Sequence, residues 1–262
     1  MKRGEANLYE LVGGMDNADL RDLVLDFGTR PTTVPGALGA SADLKEAYGI
    51  PAMQIAAGAD GLLLIRDIKD PEDDRIVARQ QCTAFPAASL LSCSWDPDLI
   101  SAVGAAIGRE MKEYGVDLWL APGADVLRSP SQRHASRCWS EDPVICGICA
   151  AALSQGVEKY GAAVLRSVSM EHKNQVTQRA FHDLYALPFS MAARSAKAVL
   201  LPTQWLNDEP AGEDTAQSRM LVHEWKFGGM FLADDERYTT EPSRLQLEQA
   251  ALRILKFALT RI

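Results

Sequence analysis

Apolar residues recur at helical spacing near the start of the chain: Leu8, Leu11 and Val12, then Leu20, Leu23, Val24 and Phe27. That spacing predicts an amphipathic helix over residues 7–28. The stretch that follows, TRPTTVPGALGAS, is rich in proline, glycine and small residues and reads as loop. Beyond it, short apolar runs alternate with longer segments of helical periodicity. Strands are predicted at 52–56, 118–121, 163–168, 198–201 and 230–233, and helices over 96–114, 143–160, 179–195, 215–225 and 242–260. Strands apolar on both faces and separated by helices indicate a parallel sheet covered on each side. Two folds fit, a (β/α) barrel and a doubly wound sheet. Gly58 and Gly61 lack the third glycine and the acidic residue of a dinucleotide-binding loop, so the barrel is preferred.

Composition narrows the function classes. The chain has 262 residues, 47% hydrophobic and 24% charged, the balance of an ordinary globular protein. Its net charge of -8 argues against nucleic acid or an anionic membrane as partner, since both need a positive surface. The polar start MKRGEANLYE is no signal segment, and no apolar run reaches the roughly 18 residues of a membrane span, so a cytoplasmic location is expected. Five cysteines (Cys82, Cys93, Cys138, Cys146, Cys149) suit reduced thiols. Cys146 and Cys149 share one face of a strongly apolar helix and read as buried core thiols rather than a redox or zinc pair. Neither a metal nor a cofactor is expected; His134 and His172 are two histidines without a third ligand.

Several segments together resemble the barrel domain of glycoside hydrolase family 3, the β-glucosidase-type enzymes. GIPAMQIAAGADGLLL stands where that family has GIP followed by ADGPxGLR. DVLRSPSQRHASRCWSEDP matches NIHRSPLCGRNFEYFSEDP without a gap, and LVHEWKFGGMFLADD follows LRGEWGFDGFVVSDW. The resemblance covers nearly the whole chain and implies a single TIM-type (β/α) barrel domain over 1–262, with 1–48 as a helix and loop leading in. After Asp235 the family continues with a further strand and helix. Here ERYTTEPS runs almost directly into a terminal helix, so the barrel is expected to be incomplete, with fewer than eight regular strands.

The same resemblance assigns a pocket, and its residues are changed. Ala57 takes the place of a sugar-binding aspartate and Leu63 that of an arginine. Arg128 is retained; His134 stands for an arginine, and Arg137 reverses the charge of a glutamate. A lysine–histidine pair falls on Ser167 and Val168, or on Val168 and Ser169 with a one-residue slip. A tyrosine–asparagine pair becomes Thr203 and Gln204. Asp234 lands on the catalytic nucleophile, and the tryptophan after it is Asp235. Many family members take their general acid from a second domain, which has no counterpart here.

Retaining glycoside hydrolysis needs two carboxyl groups about 5 Å apart. Asp234 follows a strand end, where barrel enzymes place their chemistry, but Asp235 and Glu236 beside it make a solvated acidic turn the favoured reading. Glu171 and His172 are weaker candidates in a surface loop. Glu141 and Asp142 before Pro143 read as a helix cap. Trp95 and Trp225 read as core; Trp139 and Trp205, near strand ends, read as core with pocket lining as the alternative. The leading expectation is a family 3-like barrel whose pocket no longer supports hydrolysis and which acts by binding or assembly, with a carbohydrate as candidate ligand. The alternative is an active glycosidase of altered substrate that uses Asp234, with Glu171 or Glu236 as acid. An open sheet edge further implies a homodimer or hetero-complex.

Overall fold

In the computed structural model, residues 3–25, 28–70, 72, 75–131, 135–166, 176–200, 205–206, 209–210, 220–232 and 242–259 are described. The N-terminal apolar rhythm folds as two helices rather than one, α1 (Arg3–Gly14) and α2 (Asn17–Leu25). Asp16 makes the break. Its Oδ1 accepts the Asp19 N–H at 2.8 Å, which caps the second helix and offers the backbone an alternative to continuing the first. Phe27 lies outside the described residues.

The segment read as loop carries a short strand, β1 (Gly39–Ala40), paired antiparallel with β2 (Gln54–Ala56) across α3 (Lys45–Tyr48). Gly39 permits this approach, since a Cβ there would lie 2.0 Å from the Gly28 carbonyl oxygen. A hairpin, β3 (Ile65–Lys69) and β4 (Ile76–Gln81), forms a separate sheet that the apolar pattern did not announce. There follow α4 (Ala88–Ser92), α5 (Pro97–Tyr114), β5 (Leu118–Trp119), α6 (Pro143–Val157) and β6 (Ala162–Arg166). Next, α7 (Gln178–Ala180) runs through a π-helical stretch into α8 (Leu187–Ala193), then β7 (Ala198–Leu200). A small hairpin of β8 (Trp205–Leu206) and β9 (Glu209–Pro210) precedes β10 (Met230–Leu232) and α9 (Arg244–Leu259). Each expected strand is present. Of the helix expected at 215–225, the described part is a π-helical turn at Met220–Glu224.

The main sheet has six strands in the order β1-β2-β5-β6-β7-β10, parallel from β2 onward. Its ends, β1 and β10, are not paired with each other among the described residues, so the barrel is incomplete. Alternation along the strands explains how such a sheet is stabilised. Ala56, Trp119, Ala163, Leu165 and Val199 pack into one core with α5, α6 and α8. Ile55, Leu118, Val164, Ala198 and Met230 pack into another with α1, α2 and α9. A closed barrel would fill its interior with strand side chains alone. Here helices cover both faces of the sheet, and burial of each large aliphatic chain contributes about 1.5–3 kcal/mol.

The α5–α6 contact is made at the backbone. A Cβ on Gly104 would lie 2.2 Å from the Leu153 carbonyl oxygen, and one on Gly156 would lie 2.1 Å from that of Ser101. Asp96 caps α5 by accepting the Asp98 and Leu99 N–H groups, each at 3.0 Å. Trp95, expected in the core, is instead 78% exposed. Its φ of 54° turns the chain sharply between α4 and the α5 cap, and the ring is thrown outward. Trp225 is half-buried, its ring 6.2 Å from that of Phe189.

Candidate active site

Parallel strands bring their carboxyl ends to one rim, and barrels place chemistry there because the loops vary without disturbing the core. At the end of β2, the Leu63 N–H donates to the Ala57 carbonyl at 2.8 Å, so the structure brings these two expected pocket residues together. Between them Gly58 (φ 132°) and Gly61 (φ 118°) adopt backbone conformations that other residues rarely reach. Trp119, fully buried at the end of β5, donates its indole N–H to the Gly58 carbonyl at 2.8 Å. The loop is therefore firmly shaped while its two expected pocket positions are apolar, with Ala57 half-buried and Leu63 61% exposed; Asp60 between them is exposed. Positions 57 and 63 therefore lack the carboxylate and guanidinium that would hold sugar hydroxyls in a charge-assisted way.

The loop after β5 is pinned at its base. Trp139 donates its indole N–H to the Gly123 carbonyl at 2.9 Å, and the Leu127 N–H reaches the Ser140 carbonyl at 2.8 Å. Ser92 Oγ donates to the Trp139 carbonyl at 2.5 Å. Asp142 accepts the Val144 and Ile145 N–H groups at 2.7 and 3.2 Å and starts α6, as its position before Pro143 implied. Trp139 is thus a buried strut rather than a sugar platform.

Arg128, half-buried in this loop, lies 5.7 Å over the Tyr185 ring. Arg137 sits in a short 3-10 turn (Ala135–Arg137) and is exposed, so the reversed charge faces solvent. Burial pushes the Cys138 thiol up to about 11, with Asp125 adding to the rise and Arg128 opposing it; all three therefore lie within electrostatic reach. Cys146 is pushed up to about 12, chiefly by burial, and Cys149 is raised for the same reason. These are protonated core thiols.

One cation escaped the sequence reading. Arg166 ends β6 opposite Leu200, its N–H reaches the Pro122 carbonyl at 2.9 Å, and its side chain is exposed. The family's lysine position falls on Ser167 or Val168, and this basic residue closes the apolar run just before them. His134, Ser167, Val168, Thr203, Asp234 and Asp235, with Glu171, His172, Gln204 and Glu236, lie outside the described residues. In sequence, Asp234 follows the last residue of β10, Leu232, by two places. Among the described residues, no group of three His, Cys, Asp or Glu side chains is arranged to hold a metal, and no helix is long and apolar enough to cross a membrane.

An incomplete (β/α) barrel with a reshaped rim places the chain among the TIM-type barrel domains. A sequence profile of the glycosyl hydrolase family 3 N terminal domain matches residues 62–256, and the chain belongs to that family. Ala57 precedes the matched span, whereas the other expected pocket positions fall within it. The chain is 31% identical over 201 residues to thermostable beta-glucosidase B of Acetivibrio thermocellus, covering 72% of this chain and 26% of that protein. It is 30% identical over 211 residues to probable beta-glucosidase H of Aspergillus oryzae, covering 76% of this chain and 25% of that one. The chain thus matches about a quarter of the length of these relatives. Beta-glucosidase 3B from Thermotoga neapolitana, solved with glucose, superposes with a TM-score of 0.78 at 23% identity, over 96% of this chain and 42% of that one. A beta-glucosidase from Paenibacillus barengoltzii superposes with a TM-score of 0.80 at 23% identity, over 98% of this chain and 33% of that one.

Proposed function

We propose that this barrel processes β-glycosides by retaining chemistry, with Asp234 as nucleophile and with a substrate other than the one its relatives' pocket fits. The observation that carries the reading is the run LVHEWKFGGMFLADD, which keeps the family pattern through β10 and brings a carboxylate just past the strand's carboxyl end. The changed positions, Ala57, Leu63 and Arg137 among them, would contact sugar hydroxyls rather than the bond being broken. Each lost contact removes about 1.5–3 kcal/mol of binding, which alters the preferred substrate and lowers the rate on an ordinary glucoside. The general acid comes from beyond this barrel, supplied by a further segment or by a second chain that also covers the edge of β10, which is unpaired among the described residues.

The test uses dinitrophenyl β-glycosides, whose leaving group departs without protonation and so isolates the nucleophile. Turnover that disappears in Asp234→Ala is expected. A second reading, ligand binding or assembly without turnover, is favoured by the apolar residues at positions 57 and 63, which remove a carboxylate and a guanidinium that would hold a pyranose. Saturable glycoside binding with no release of dinitrophenol would establish that reading in place of the first.

A further inference from the structure

A cavity of about 520 Å³ lies at the opposite end of the sheet, where β7 and β10 begin. Its volume falls in the range of small-molecule sites. Five basic residues, Arg194, Lys197, Lys226, Arg253 and Lys256, line it with no carboxylate among the lining residues. The chain as a whole has 35 acidic and 27 basic residues, so this local excess of cations runs against its average.

Four of the five have structural work. Arg253 donates to the Phe227 and Gly229 carbonyls at 3.1 and 3.3 Å, and its guanidinium lies 4.8 Å over the Phe231 ring. Lys197 pairs with Glu158 at 3.0 Å. Arg194 closes the carboxyl end of α8 and Lys256 lies in the last turn of α9, where cations offset the helix dipole. Lys226 stands apart. It is exposed at a φ of 54°, a left-handed conformation that non-glycine residues rarely adopt, and Phe227 separates it from Gly228 and Gly229. A lysine held in a strained position on the rim of a cationic cavity calls for a ligand to its charge.

We propose that this cavity binds a small phosphate-bearing molecule with a planar apolar part. Lys226, Lys256 and Arg194 take the phosphate, and the apolar part rests on Trp225, Phe227 and Phe257, which also line the space. The site lies at the opposite end of the sheet from the rim, although residues 225–230 belong to the LVHEWKFGGMFLADD run, and it stands whether or not Asp234 is catalytic.

Titration calorimetry at constant ionic strength tests it with phenyl phosphate, inorganic phosphate and phenol. Phenyl phosphate should bind more tightly than inorganic phosphate, and phenol should not bind. Lys226→Gly removes the charge and relieves the backbone, so it should fold at least as well while weakening phenyl phosphate about tenfold, the equivalent of one charge-assisted bond. Lys256→Ala should weaken it in the same direction. Absence of phenyl phosphate binding, an unchanged affinity in Lys226→Gly, or phenol binding as tightly as phenyl phosphate would each overturn the proposal.

Discussion

The indole N–H of Trp119 is bonded to the carbonyl of Gly58, 61 positions earlier, at 2.8 Å. This single bond ties the end of β5 to the loop in which Ala57 and Leu63 stand, and it explains why that loop keeps its shape with altered side chains. Trp119→Phe keeps most of the apolar bulk but strands the Gly58 carbonyl. It should cost about 1–3 kcal/mol in urea unfolding, besides loosening the rim. A loss within about 0.5 kcal/mol would mean that the bond is not what holds the loop.

The backbone contact between α5 and α6 makes a sharper claim. Gly104→Ala and Gly156→Ala each push a methyl group into a facing carbonyl, so each should destabilise by about 1–3 kcal/mol or more. Gly13→Ala in α1 meets nothing within 4 Å and should stabilise by about 0.5–1 kcal/mol. Equal thermal shifts in the three variants would contradict the packing.

Helix-forming and strand-forming periodicity made these elements legible from the chain alone, because the strands are buried on both faces and the helices carry one apolar stripe. The pattern could not tell which core each strand residue joins: Leu118 and Trp119 are neighbours in sequence and enter different clusters. It also missed β1, since Gly39 reads as flexibility when its task is a close approach, and it misplaced Trp95, whose exposure follows from one backbone angle. Of the pocket, the substitutions were legible because they break a family pattern. Arg166 was overlooked because strand register, which sets where a side chain ends up, is not written in local spacing.

The thiols give a pH signature. Cys82 and Cys138 are raised from 9.0 to about 11 and Cys146 to about 12, mainly by burial. Above pH 9 the unfolded thiols lose protons that the folded ones keep, so stability is retained below that point and falls as pH climbs towards 11 and 12. Urea midpoints across this window should drop. In the native protein, Cys93, the exposed thiol, should react with a thiol reagent well before buried Cys138, Cys146 and Cys149. Simultaneous labelling of all of them would contradict the burial.

Glu158 fastens α6 to the starts of β6 and β7, accepting the Ala163 and Lys197 N–H groups at 3.2 Å each. Burial raises its carboxyl above 4.5 despite the Lys197 ammonium, which pulls the other way. Its contribution is therefore fully present below pH 4.5 and declines as pH rises through the folded value. Glu158→Gln should abolish that dependence with little net change near neutrality. Glu158→Ala, which orphans both donors, should cost about 1–3 kcal/mol.

Covalent trapping at Asp234 is the most direct measurement. A fluorinated dinitrophenyl β-glycoside that forms a glycosyl ester and turns over slowly should label the protein once, with the sugar mapped by peptide mass to Asp234 and lost in Asp234→Ala. A protein that stays unlabelled across a panel of such glycosides, or that carries the sugar on another residue, would contradict retaining chemistry at this strand end.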